Sequence, residues 1–127
     1  MEIDKEIISL LIARKPYDEI ATFSTRASYT HNKKFKDYTI QKGIDVSHHN
    51  GKIDWKKVKA AGIDFAIIRV GYRGYGDAGN MGDDDRAIEN LKNANAAGVP
   101  VGVYVYSQAK TVAEAKEEAN FALNKIK

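Results

Sequence analysis

Asp64-Phe65-Ala66-Ile67-Ile68-Arg69-Val70 decides how this chain folds. The segment is apolar and β-branched, without the alternation of a half-solvated strand, so it reads as a strand buried on both faces, as in parallel sheets. Parallel neighbours must be joined by crossover helices, and the flanking sequence supplies them. Upstream, Gly43-Ile44-Asp45-Val46 is a short strand, and Asp54 caps a helix from Trp55 to Ala61 that Gly62 stops. Downstream, a glycine-rich loop leads to a helix from about Asp84 to Ala97, ended by Gly98. A third strand runs from Val101 to Ser107, where Val101, Val103 and Val105 alternate with Gly102, Tyr104 and Tyr106. The last helix opens at Thr111 with Glu114 three residues on, a capping box, and carries Val112, Ala115, Ala119, Leu123 and Ile126 on one stripe. This alternation predicts an α/β fold of right-handed βαβ units on a parallel sheet. Its order fits both a doubly wound sheet and a (β/α)8 barrel.

Residues 1–41 read differently from residues 42–127. Ile3, Ile7, Leu10 and Leu11 recur at helical spacing up to about Lys15, where Pro16 ends a short N-terminal helix, and Ser24 to Lys36 is a polar linker. The run Ile7 to Ala13 is too short to span a bilayer, and acidic Glu2, Asp4 and Glu6 precede it where a signal peptide carries positive charge. Neither a signal peptide nor a membrane span is therefore expected. With 43% hydrophobic and 29% charged residues, the 127-residue chain is an ordinary globular domain and not a disordered one. Cysteine is absent, which excludes disulfides, thiolate metal sites and a cysteine nucleophile. The net charge of +3 is spread among acidic residues, so it singles out no nucleic-acid partner.

The chemistry concentrates around Gly43-Ile44-Asp45-Val46-Ser47-His48-His49-Asn50-Gly51. A carboxylate inside an apolar strand is costly unless it is paired or used, which makes Asp45 the best local candidate for catalysis. The alternative is a structural carboxylate taking hydrogen bonds from the following turn. His48 and His49 point in different directions as sequence neighbours, and no third ligand sits at a recognisable offset, so a metal is not expected; they read as loop residues that bond a ligand or solvent. Gly74, Gly76 and Gly79 form a nominal G-x-G-x-x-G, but Asn80-Met81-Gly82 separates it from the helix, and Asp77 with Asp83 to Asp85 would repel phosphates. A calcium loop read from Asp77 puts Gly79 and Met81 at ligand positions and fails; the acids suit the N-terminal end of the next helix. Tyr72, Tyr75, Tyr104 and Tyr106 fall near the C-terminal ends of strands, where parallel sheets bind ligands and exposed rings stack on sugars. Tyr104 reads as core-filling, while Tyr72 and Tyr106 are open to either role.

Gly43 to Ser47, Ile53-Asp54-Trp55, Phe65 to Tyr72, Asn90, Ala97 to Tyr104 and Tyr106-Ser107 together resemble glycoside hydrolase family 25 in order and spacing, over about Lys42 to Lys127. The resemblance implies a lysozyme, or N-acetylmuramidase, on a modified β/α barrel of the TIM type. Such an enzyme cleaves the β-1,4 bond between N-acetylmuramic acid and N-acetylglucosamine in peptidoglycan without metal or cofactor. It implies further that Asp45 is the active-site aspartate of the first strand. Asp84 matches the aspartate six residues before the family asparagine, Asn90, and is the second catalytic candidate, although Ala87 replaces the usual aromatic between them. His48, Tyr72 and Tyr106 become the candidate substrate-binding residues. The family's Asp-x-Glu belongs on the strand following the helix that ends here at Lys127, outside this sequence.

Glycoside hydrolysis commonly uses two carboxyl groups, one protonated and one ionised, and Asp45 supplies only the ionised one. A complete barrel is typically ~250 residues, and three of its strands are evident here. The chain thus reads as an N-terminal half-barrel, a fragment or one piece of an assembly, nearly inert alone and prone to self-association through unpaired strand edges. The leading expectation is a glycosidase acting at the bacterial cell wall or outside the cell. A catalytically inactive glycan-binding half-barrel is the alternative, and a nucleotide-binding α/β protein rests on fold analogy alone.

Overall fold

The structure is a computed structural model that describes residues 33–76 and 79–127. The expected helix up to Lys15 lies outside the described residues. The part of the expected linker that is described forms a 3-10 turn, Lys33–Phe35, which buries the Phe35 ring edge-on against Tyr38 at 5.6 Å.

The sheet has four strands, three of them parallel: β1, Gly43–Val46; β2, Phe65–Arg73; and β4, Val101–Tyr106. β2 is central. Its first half pairs with β1, and its last residues pair antiparallel with a strand that the sequence did not announce, β3, Met81–Asp83. Gly71 and Tyr72 pair with β3 on one side and β4 on the other, so β3 continues the β1 edge. Among the described residues no further strand lies on the outer edge of β1 or β4.

Ile44, Val46, Ala66 and Ile68 point to one face and are buried with Trp55, Val58, Ala94 and Val99. These last come from α1, Trp55–Ala60, α2, Ala87–Ala96, and the turn after it. Asp54 caps α1, accepting from the Lys57 amide at 3.2 Å, and Gly62 follows the helix with φ of +84°, a conformation that costs glycine little. The expected helix from Asp84 starts later, at Ala87, because Asp84 is used to hold the preceding turn. Its Oδ1 accepts from the Arg86 amide at 3.0 Å.

Asp45, Ile67 and Gly102 pair across the sheet and face away from this core, as strand alternation requires. The alternation is reset once. Arg69 pairs with Tyr104, but the next pair is Gly71 with Val105, leaving Val70 as an extra residue on β2. Such bulges are uncommon in parallel pairs, and a one-residue slip moves every later side chain to the other face. Tyr72 consequently joins Arg69, Asp45 and Tyr106 on the face away from the helices, while Gly71 and Arg73 turn towards the last helix, α3, Val112–Lys125.

α3 begins as expected, with the Thr111 hydroxyl accepting from the Glu114 amide and the Glu114 side chain reaching back to the Thr111 amide. Its orientation differs from the apolar stripe. Val112, Leu123 and Ile126 are exposed, and Glu118 is the residue buried against the sheet. Arg73 sets this roll by gathering Glu118, Glu117 and the Glu114 carbonyl, and the Phe121 ring fills the space over Gly71.

Candidate active site

The turn after β1 is shaped by its own side chains. Ser47 Oγ accepts from the His49 amide at 3.3 Å, and Asn50 Oδ1 accepts from the Ser47 amide at 2.9 Å, a capping box around the 3-10 turn His48–Asn50. The His48 amide donates to Asp84 Oδ2 at 3.0 Å. These amides, the donors that a structural role for Asp45 would require, are therefore engaged elsewhere, and Asp45 stands half-buried on the sheet face, two residues below the level of Arg69.

His48, Tyr72 and Tyr106 converge on one cavity of about 310 Å³, together with His49, Arg69, Arg73, Gly74, Tyr75 and Gln108. It opens at the C-terminal ends of β2 and β4, where a parallel sheet offers its loops to a ligand. Tyr72 and Tyr106 are paired neighbours on β2 and β4, both exposed, and Tyr75 projects further from the loop. Gly82 permits this arrangement, because a Cβ there would lie 2.9 Å from the Tyr72 ring. Tyr104 is half-buried and does not line the cavity, nor does Asp45.

Asp84 lies behind this cavity, with its side chain fully buried. Its Oδ2 accepts from Arg69 Nε at 2.8 Å and from the His48 amide, so it braces both the floor and the rim of the cavity. Arg69 extends from there to His48 Nδ1, 3.1 Å from its Nη2, and its guanidinium carbon lies 5.3 Å from the centre of the Tyr72 ring. His48, Asp84 and Asp85 offer atoms within 4.8 Å of one another, a spacing a cation could use. Arg69 already supplies positive charge at that point, and Asp85 is a solvent-facing carboxylate.

A second buried network closes the other end. Arg73 Nε donates to Glu118 Oε1 at 2.8 Å, its Nη2 to Glu117 Oε2 at 2.8 Å, and its Nη1 to the Gly79 carbonyl at 2.8 Å, tying the loop that carries Tyr75 to α3. Gln108 completes it, donating to the Arg73 carbonyl at 2.7 Å. Burial alone would raise the Glu118 carboxyl, but hydrogen bonds from Ser107, Arg73 and the Gln108 amide, with the Arg73 charge, outweigh it and hold it below the ordinary carboxylate value. The same bonds to Glu117 and Glu118 raise the Arg73 guanidinium.

Sequence reading singled out three side chains that line the cavity, His48, Tyr72 and Tyr106, and missed Arg69, Arg73 and Gln108. One signal was present: Arg69 is a cation inside an otherwise apolar strand, which demands a buried partner. For Gln108 no comparable signal exists.

The sequence model of the family described as Glycosyl hydrolases family 25 matches residues 44–127. Lysozyme M1 of Streptomyces globisporus is 37% identical over 82 residues, covering 65% of this chain and 26% of that protein. Among solved structures, the modular autolysin LytC from Streptococcus pneumoniae is 36% identical with a TM-score of 0.56, over 66% of this chain and 18% of its own. A family 25 glycosyl hydrolase from Bacillus anthracis is 28% identical with a TM-score of 0.50, over 73% of this chain and 40% of that one. The chain thus spans about a quarter of the curated lysozyme it matches and less than half of either structure. With two thirds of its residues inside the family match and a parallel α/β sheet under its cavity, the chain belongs to glycosyl hydrolase family 25.

Proposed function

We propose that this chain supplies the glycan-holding side of a lysozyme-type glycosidase that cleaves the β-1,4 bond between N-acetylmuramic acid and N-acetylglucosamine in peptidoglycan, at the cell wall or outside the cell. The observation that carries the reading is the convergence of His48, Tyr72 and Tyr106 on one cavity at the C-terminal ends of parallel strands, in a chain of this family. The sheet is then the opening arc of a β/α barrel, with Asp45, Ile67, Arg69 and Tyr104 facing its interior. The outer edges of β1 and β4 are where further strands or a second copy would add.

Asp45 is assigned the ionised carboxylate that stabilises positive charge developing at the anomeric carbon. Asp84 is assigned a supporting part: buried and bonded to Arg69 and the His48 amide, it acts on the glycan through them. The leaving oxygen takes its proton from a second carboxyl group across the bond, which the family resemblance puts on the strand following α3. This scheme uses no metal or cofactor.

The test is co-sedimentation with purified peptidoglycan, read together with release of reducing ends. The chain is expected to pellet with the walls, and Tyr72→Ala with Tyr106→Ala to release it. Any reducing ends formed should fall at least about a hundredfold in Asp45→Asn. A chain that stays in the supernatant, or hydrolysis unchanged in Asp45→Asn, would overturn the reading.

A further inference from the structure

We infer that Arg69 is a positioning residue that holds the His48 ring with its Nδ1 lone pair towards the guanidinium and its proton on Nε2, making His48 a hydrogen-bond donor to a sugar oxygen in the cavity. The ligand half of this inference rests on the glycan reading above.

A guanidinium carries only donors and is always charged. Arg69 Nη2 lies 3.1 Å from His48 Nδ1, so that nitrogen must present a lone pair. A neutral ring with its lone pair on Nδ1 has its proton on Nε2, on the ring edge turned from Arg69. The arginine is itself fixed. It is buried, its Nε donates to Asp84 Oδ2 at 2.8 Å, and the Tyr72 ring lies beside it. That same carboxylate oxygen accepts from the His48 amide at 3.0 Å, so ring and backbone are referred to one buried anchor.

The competing arrangement would place a protonated Nδ1 on a carboxylate. Asp85 is 3.6 Å away and Asp84 is 3.9 Å away, both beyond a good hydrogen bond. The His48 side chain is 36% exposed and lines the cavity, so the Nε2 proton is available to a ligand. A sugar hydroxyl or acetamido carbonyl is the complementary acceptor, and a ring already locked in one tautomer loses less freedom on binding.

The experiment has two arms on the full chain. In the first, long-range ¹H–¹⁵N spectra of the His48 ring are recorded at about pH 8, where an ordinary imidazole is neutral. The expected signature is an unprotonated Nδ1 and a protonated Nε2, unchanged in Asp85→Asn, which alters an exposed side chain and leaves the buried anchor intact. A protonated Nδ1, or a signature that shifts in Asp85→Asn, overturns the role of Arg69. In the second, N-acetylglucosamine tetramer is titrated calorimetrically. His48→Gln puts an amide nitrogen in place of Nε2 and should bind within about threefold of the native chain. His48→Asn puts it in place of Nδ1, against Arg69, and should bind about tenfold more weakly, the worth of one hydrogen bond. The reverse order overturns the donor assignment. The expected ring signature without tetramer binding by the native chain overturns the donor role and the glycan reading together, whereas a wrong signature with intact binding overturns only the part played by Arg69.

Discussion

Replacing Arg73 by leucine tests whether α3 is held by charge. Its guanidinium is 5% exposed and reaches two carboxylates of different standing: Glu118, 7% exposed, and Glu117, 59% exposed. Arg73→Leu leaves Glu118 buried without its cation and orphans bonds to the Gly79 and Glu114 carbonyls. Removing one partner of a buried pair costs about 3–5 kcal/mol. Glu117→Ala breaks a bond of the same length at the surface and should cost under about 1 kcal/mol. In Arg73→Leu/Glu118→Leu the stranded charge is gone, and the pair should show a coupling of about 2 kcal/mol relative to the single variants. Urea unfolding followed by circular dichroism supplies these values, with slopes compared to verify that each variant unfolds from the same fold. If a single variant proves too unstable to measure, Glu118→Gln gives the same comparison at smaller amplitude. A loss below about 1 kcal/mol in Arg73→Leu, or no coupling, would refute the view that this network orients α3.

Acidification should act through the same residues. Because the folded-state pKa of Glu118 is depressed, its contribution is present above the ordinary carboxylate value and is lost as pH falls through the folded one. The native chain should therefore lose more urea resistance between neutral and acid pH than Glu118→Gln, and parallel losses would contradict the assignment. Trp55→Phe removes the 3.2 Å bond from Nε1 to Asn90 Oδ1 and leaves a second unpaired atom on a buried amide whose Nδ2 already has no partner among the described residues. It should cost about 1–3 kcal/mol by denaturant titration, with Trp55→Phe/Asn90→Leu recovering part; an unchanged midpoint would remove Asn90 from the core's polar account. Gly71→Ala places a methyl 2.3 Å from the Phe121 ring and 2.6 Å from the Gly82 carbonyl, so thermal unfolding should shift down by the equivalent of about 1–3 kcal/mol. Adding Phe121→Ala should not restore it, since the carbonyl remains; full rescue would show that the ring alone made the clash.

Helix ends were legible because they are decided locally. Asp54 caps α1, Thr111 and Glu114 form their box, and Gly62 and Gly98 take positive φ where each helix stops. The parallel order of β1, β2 and β4 followed from the apolar character of β2, and the place of Tyr72 and Tyr106 at the strand ends followed from that order. What escaped depends on partners far along the chain. Three residues are too few for β3 to show a period, and the bulge at Val70 leaves no mark in composition. The apolar stripe of α3 misled because the rows through Glu114, Glu118, Phe121 and Ala122 also share a helical face, and only the position of Arg73 decides between them. Asp84 read as a carboxylate with chemistry to do, while its place behind Arg69 depends on a contact 15 residues away in sequence.

The extra residue at Val70 makes residue count as informative as residue identity along β2. Ahead of it, even-numbered positions serve the helix layer; beyond it, odd-numbered positions do. Loops joined after Arg73 can change length without disturbing this arrangement. Deleting Val70 would leave Arg69, Gly71 and Tyr72 in unbroken register opposite Tyr104, Val105 and Tyr106 and keep both sides. Pairing Val70 itself with Val105 would instead exchange them, sending the Tyr72 ring into the packed layer and the Arg73 charge into the groove. Transplanting the groove onto another parallel sheet therefore requires either this bulge or a β2 shorter by that one residue.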